Sequence, residues 1–269
     1  MTNQSSEAIS PCFFGPEGRS LYGCYHAPAP GKFRGMGIVV CYPFGHEYIH
    51  AHRALRQLAI RVARSGFPVL RFDYFSTGDS LGETGEGSVQ QWVSDIGTAI
   101  EKVKDLGSVQ YVSLVGLRLG SPLSLLAGVG RQDCKGFVLW DPVMEGREYV
   151  RELIGLGSDT AKRFQRAFTT HGEMEILGFR FSQNLRKDLE QIDVAAIPLS
   201  PLQRVLLLES QKNSVGHSFK ENLTDCKVEC EYHYLPGPPV WIREGVMIKA
   251  WVPRKILDSI VSWASTVCP

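Results

Sequence analysis

The sequence predicts an α/β protein, with a mostly parallel, doubly wound sheet and a helical cap inserted past its middle. Three observations carry this. Apolar runs of strand length alternate with segments of helical period along most of the 269 residues. Several of those runs are almost continuously apolar, as strands are when helices cover both faces of a parallel sheet. The alternation lapses once, over residues 143–198, where helical segments follow one another without a good strand between them. One α/β domain is therefore expected over residues 1–269, with 143–198 as a cap over the strand ends, where open α/β sheets hold their ligands.

The strands expected are MGIVVCY (36–42), FPVLRFDY (67–74), VQYVSLVG (109–116), GFVLWD (136–141), QRVLLLE (203–209) and KVECEYHYL (227–235). Leu55, Leu58, Ala59 and Val62 fall at i, i+3, i+4 and i+7 and mark the buried face of a first helix. Val89, Trp92, Ile96, Ile100 and Val103 mark a second, and a third runs from about Leu119 to Val129. In the cap, REYVRELI and SQNLRKDLEQI have helical period. Leu153, Ile154, Phe164 and Phe168 there are either core residues or the wall of an acyl tunnel. A last helix starts near Pro253, a residue suited to a first turn, and buries Ile256, Leu257, Ile260 and Val261.

Composition narrows the function. With 43% hydrophobic residues the chain can bury a core that needs no metal or disulfide. Its formal charge is +1 without long runs of one sign, so nothing points to nucleic acid or an anionic membrane surface. No basic and apolar leader opens the sequence, and no run approaches the roughly 18 apolar residues of a membrane span. Seven scattered cysteines, an odd number, read as reduced thiols in a cytoplasmic protein. No cofactor is expected, and a homodimer is compatible with this composition.

The stretch HEYIH, His46 to His50, has the H-E-x-x-H spacing of a zinc protease. Such a site needs both imidazoles on one helical face. Here CYPFG precedes it, and apolar helical periodicity begins only near Ala51, so His46 and Glu47 are expected in a loop. A third ligand at family spacing is absent as well, and no metal site is expected.

More informative is VQYVSLVGLRLGSPLSLLAG: an apolar strand, then G-x-[nucleophile]-x-G, then a helix of small and apolar residues. That is the layout of a nucleophile elbow, with Arg118 where the serine belongs. Four segments, CYPFGHEY with AHR (41–53), LRFDYFSTGDSLG (70–82), GLRLGS (116–121) and LWDPVMEGREY (139–149), give the chain a family likeness. From about residue 12 to 265 it resembles the α/β-hydrolase superfamily, in particular the exosortase-system-associated, serine-aminopeptidase-like branch. The resemblance implies an α/β-hydrolase fold and acyl-group chemistry on an ester or thioester, free or carrier-bound. That branch itself often carries L-R-L at the elbow.

The other two posts of a Ser-His-Asp triad look vacant. LLLESQKNS offers Glu209 but no aspartate at the usual spot. After the last strand Trp241 stands about where the histidine belongs, with His233 inside the strand and His217 in the preceding loop. Ser121 reads as a packing residue and Cys41 as a buried thiol. Asp73 and Asp79 read as turn formers, Trp140 as core, and His52 and Arg53 as solvated.

A guanidinium is costly to bury alone, so Arg118 should meet an acid or an anionic ligand. The resemblance implies that the strand ending at Gly116 lies between those ending at Tyr42 and Asp141, which would bring Glu47, His46 and Asp141 within reach. Either Arg118 closes a salt bridge with Glu47 or Asp141, or it anchors a carboxylate, phosphate or enolate while Glu47 or His46 moves the proton. Phe44 and Trp241 are the candidate substrate contacts. Two functions stay open: an enzyme of a biosynthetic pathway working by acid–base catalysis without a serine nucleophile, or an inert hydrolase fold that binds a metabolite or a partner protein.

Overall fold

A computed structural model describes residues 9–83, 85–164, 169–170, 173–212, 215–242 and 252–268. An antiparallel hairpin of β1 (Ile9–Phe14) and β2 (Leu21–His26) opens the chain, followed by β3 (Met36–Cys41), α1 (His46–Arg64) and β4 (Val69–Phe72). Next come α2 (Val89–Gly107), β5 (Tyr111–Leu117), α3 (Gly120–Gly128) and β6 (Cys134–Trp140). Residues 143–198 hold α4 (Gly146–Phe164), the short strands β7 (Thr169–Thr170), β8 (Glu173–Ile176) and β9 (Phe179–Phe181), and α5 (Gln183–Glu190). The chain then completes β10 (Arg204–Glu209), α6 (Val215–Asp225), β11 (Glu229–Tyr234) and α7 (Arg254–Val267).

Eight strands form one sheet in the order β1-β2-β4-β3-β5-β6-β10-β11, parallel from β4 onward. β3 and β4 are buried at every residue and β5, β6 and β10 at nearly every one, which is why they read as unbroken apolar runs. α1 packs on α7 and α2 on α3, covering the sheet. Every expected strand forms, trimmed by one to two residues at most ends. The hairpin β1–β2 went unread because it is half-exposed, short and interrupted by Gly and Pro.

Two expectations are corrected. Segment 143–198 is not free of strands, since β7, β8 and β9 make a small antiparallel sheet between α4 and α5. These strands have two to four residues, too few for a period-two pattern to register. His217, expected in a loop, lies in α6. Of the four apolar residues singled out in this segment, Leu153 is buried and Ile154 half-buried, while Phe168 and the Phe164 side chain lie outside the described residues. Among the described residues no helix is long and apolar enough to cross a membrane.

Candidate functional site

Arg118 stands at the tip of the sheet because the chain reverses sharply between β5 and α3. Its φ is 52°, left-handed backbone that costs a side-chain-bearing residue about 1–2 kcal/mol. The turn closes because its neighbours lack side chains. A Cβ on Gly120 would fall on the Cys41 carbonyl oxygen, and one on Gly116 would strike the Gly120 backbone. The Arg118 N–H donates to the Trp140 carbonyl at 3.0 Å, and its own carbonyl accepts from Ser121 and Val143, which ties the elbow to β6 and α3.

The guanidinium is largely buried, its side chain 12% exposed. Nε donates to Glu47 Oε1 at 2.8 Å and Nη2 to Glu152 Oε2 at 2.7 Å. The rings of Tyr149 and Trp241 lie 5.4 and 5.1 Å from it. Tyr149 O–H donates to Glu47 Oε2 at 2.9 Å, so both oxygens of that carboxylate are held. The two counter-charges differ sharply: the Glu47 side chain is 1% exposed and that of Glu152 40%. Burial pulls the Arg118 pKa down, but Glu47 and Glu152 together raise it further, and the group stays charged. Burial pushes Glu47 up, while Arg118 and Tyr149 hold it back.

HEYIH proves helical, which corrects the expectation of a loop. Gly45 turns the chain with φ 63°, and α1 begins at His46. The apolar periodicity misses this first turn because its buried residues are polar: His46 and Glu47 are both buried, and Glu47 reaches Arg118 at the elbow. The rings of His46 and His50 are 6.4 Å apart. Glu47 between them is bound to Arg118 and Tyr149, and among the described residues no three His, Cys, Asp or Glu side chains converge as a metal site would need. Burial above all, then His50 and Arg118, lower the His46 pKa to about 4, so its imidazole is neutral.

Asp141, at the end of β6, also has left-handed backbone, with φ 41°. It does not bridge to Arg118. Its Oδ1 accepts from the Ser210 N–H at 2.7 Å, while Oδ2 and the Ser210 Oγ are buried without partners. Burial raises its pKa to about 6, opposed by the Ser210 N–H hydrogen bond and by the nearby charge of Arg118. Sequence reasoning named Glu47 and Asp141 as alternatives for the bridge, and the structure selects Glu47. It missed Tyr149 and Glu152, which reach the elbow from α4; their i, i+3 spacing on REYVRELI puts them on one helix face but does not point to the elbow.

The remaining candidates do not converge here. Cys41 is fully buried and its thiol is pushed far up by burial. Ser121 Oγ is buried and donates to the Gly116 carbonyl at 2.9 Å. Glu209 accepts from Tyr232 O–H at 2.7 Å, and His233, inside β11, lies 2.9 Å from Ser259 Oγ. Phe44 lines a solvent-open groove of about 630 Å³ with Tyr48, Trp92, Phe179 and Leu185, and Arg180 joins the lining. Trp241 is not part of this groove; it covers Arg118 instead. Groove and elbow share the turn from Phe44 to Glu47, whose start lines one and whose end holds the other.

A scan against protein-family models gives no match, and a search of curated proteins gives none. Solved structures do match. Est1E from Butyrivibrio proteoclasticus, solved with ferulic acid bound, is similar at TM-score 0.72 and 16% identity, over 95% of this chain and 98% of that one. An esterase from Pyrococcus furiosus gives 0.62 and 13% over 98% and 92%. The alpha/beta hydrolase domain-containing protein 10 from mouse gives 0.58 and 17% over 96% and 99%. Identities this low speak to architecture, not activity. By its strand order, its strand–elbow–helix turn and these likenesses together, the chain has the α/β-hydrolase fold.

Proposed function

We propose that the protein is a hydrolase-fold enzyme of a biosynthetic pathway, acting on an acyl ester, acyl thioester or other carboxylate-bearing small molecule, free or carrier-bound. It works by acid–base chemistry at the elbow and forms no acyl-enzyme. The observation that carries this reading is the unequal pair of counter-charges on Arg118. Glu47 is buried and held at both oxygens, whereas Glu152 is 40% exposed. A substrate carboxylate or oxyanion that takes Glu152's position on Nη2 releases that side chain to water and strands no charge. Displacing Glu47 would leave a buried carboxylate alone, which is strongly unfavourable.

In this reading Arg118 offers its planar fork to the anion, with the N-terminus of α3 behind it. Asp141 is the proton carrier: a pKa of about 6 makes both forms available near neutrality. His46, neutral and buried nearby, is the second group able to accept a proton, and Glu47 positions Arg118. The groove beside Phe44 receives the acyl or aryl portion. Ferulic acid, the ligand named with Est1E, joins an aromatic ring to a carboxylate and is a suitable first probe. The enzyme is cytoplasmic in this proposal, uses no cofactor or metal, and is compatible with a homodimer.

The test is turnover of acyl esters and acyl thioesters by chelator-treated protein, wild type beside Arg118→Ala and Asp141→Asn. Activity that survives chelation and falls by about 100-fold or more in both variants is expected. Equal rates in all three proteins would overturn the assignment. One observation favours a second reading: Glu47, Glu152, Tyr149 and Trp241 already surround the guanidinium. On it the fold is catalytically inert and binds a metabolite or partner protein. Absence of turnover, with ligand binding indifferent to Asp141→Asn, would favour that alternative.

A further inference from the structure

β4 buries a second guanidinium, away from the elbow. Arg71 is 9% exposed, and among the described residues no carboxylate lies within ion-pair distance of it. Its Nε donates to His26 Nε2 at 3.0 Å and its Nη1 to the Tyr42 hydroxyl at 3.1 Å. Both partners are neutral. Burial first, then Arg71 itself, lower the His26 pKa to about 4, and burial raises Tyr42 to about 12. A buried cation held only by neutral acceptors lacks the counter-charge that normally offsets its desolvation. Arg71 also lines a solvent-open cavity of about 490 Å³, together with Tyr22, Tyr42, Tyr48, His52 and Asp79.

We propose that this cavity is a second ligand site, which takes the carboxylate of a small organic monoanion on Arg71. The guanidinium keeps N–H donors beyond the two already bonded, in the planar arrangement that suits a carboxylate. Tyr42 accepts from Arg71 and so retains its own proton to donate to the same ligand. The rim sets the charge. Asp73 and Asp79 both line the cavity, and Asp79 is exposed, so a dianion meets about twice the repulsion that a monoanion does. Tyr48, whose hydroxyl donates to Asp73 at 2.8 Å, is the wall between this cavity and the groove beside Phe44. The inference uses no part of the elbow reading and survives if that reading fails.

Calorimetric titration with sodium propionate at pH 7 and constant ionic strength tests it, on wild type, Arg71→Met, Asp79→Asn and Arg118→Ala. Expected are one propionate site at Arg71 whose affinity falls at least tenfold in Arg71→Met, and the same site intact in Arg118→Ala. Sulfate, a dianion at pH 7, should not compete in wild type and should begin to compete in Asp79→Asn, an exposed substitution that leaves the fold alone. Urea unfolding confirms that each variant is folded; should Arg71→Met fail to fold, Arg71→Lys replaces it, with a weakened but measurable site expected. Absence of propionate binding, or binding lost in Arg118→Ala but kept at Arg71→Met, would overturn the proposal. Sulfate binding to wild type as tightly as propionate would overturn the monocarboxylate assignment.

Discussion

Removing Arg118 leaves Glu47, 1% exposed, beside Tyr149 with no cation. Breaking a buried pair from one side costs about 3–5 kcal/mol, so Arg118→Ala should lose stability of that order in urea unfolding at pH 7. The pH dependence has a definite sign. Without Arg118 the folded Glu47 pKa rises further above its ordinary 4.5, so the variant's stability falls as pH climbs from there. The deficit should be small near pH 4 and full at pH 7; a deficit flat with pH would mean Glu47 is hydrated in the variant. Asp141 carries the same sign in wild type, from an ordinary 3.8 to about 6. Asp141→Asn does not titrate, keeps Oδ1 for the Ser210 N–H and gives its amide to the unpartnered Ser210 Oγ. It should be about 2–3 kcal/mol more stable than wild type at pH 7, with the gain gone near pH 4, while turnover falls. Arg118 was legible because it breaks a motif with a known role, and Glu47 because HEYIH draws attention. Tyr149 and Glu152 were not, since nothing local ties a surface helix to an elbow far away in sequence.

The elbow is an element whose sequence requirement is steric. Gly120→Ala would put a methyl group on the Cys41 carbonyl, and a loss of about 3 kcal/mol or more is expected in chemical denaturation. Gly97 in α2 is the control, since a Cβ there meets nothing within 4 Å. Gly97→Ala should stabilise by about 0.5–1 kcal/mol through helix propensity alone. A similar loss at both positions would show that the elbow contact relaxes. The strands and α2, α3 and α7 were readable because burial imposes their apolar period. The first turn of α1 was not, because a helix that buries a histidine and a glutamate there leaves no apolar signal. β7, β8 and β9 failed for the opposite reason, being too short to carry a period.

At the scale of the molecule, a mostly parallel sheet was legible without its strand order, and the site only in fragments. Arg118 from the elbow, Glu47 from α1, Tyr149 and Glu152 from α4, and Trp241 after β11 meet only once the sheet has ordered its strands. The Arg71 cavity is likewise made between β2, β4 and α1, and β2 was not read as a strand at all. The most direct test of a displaceable counter-charge at the elbow is the affinity of cinnamate, an aromatic monocarboxylate, for wild type, Glu152→Gln and Arg118→Ala at pH 7. Any binding elsewhere is common to all three proteins, so the differences read the elbow alone. Glu152→Gln should bind about tenfold more tightly, roughly 1.4 kcal/mol, because its internal competitor is neutral, and Arg118→Ala should lose that component. Equal affinity across the three would contradict an anion site at Arg118.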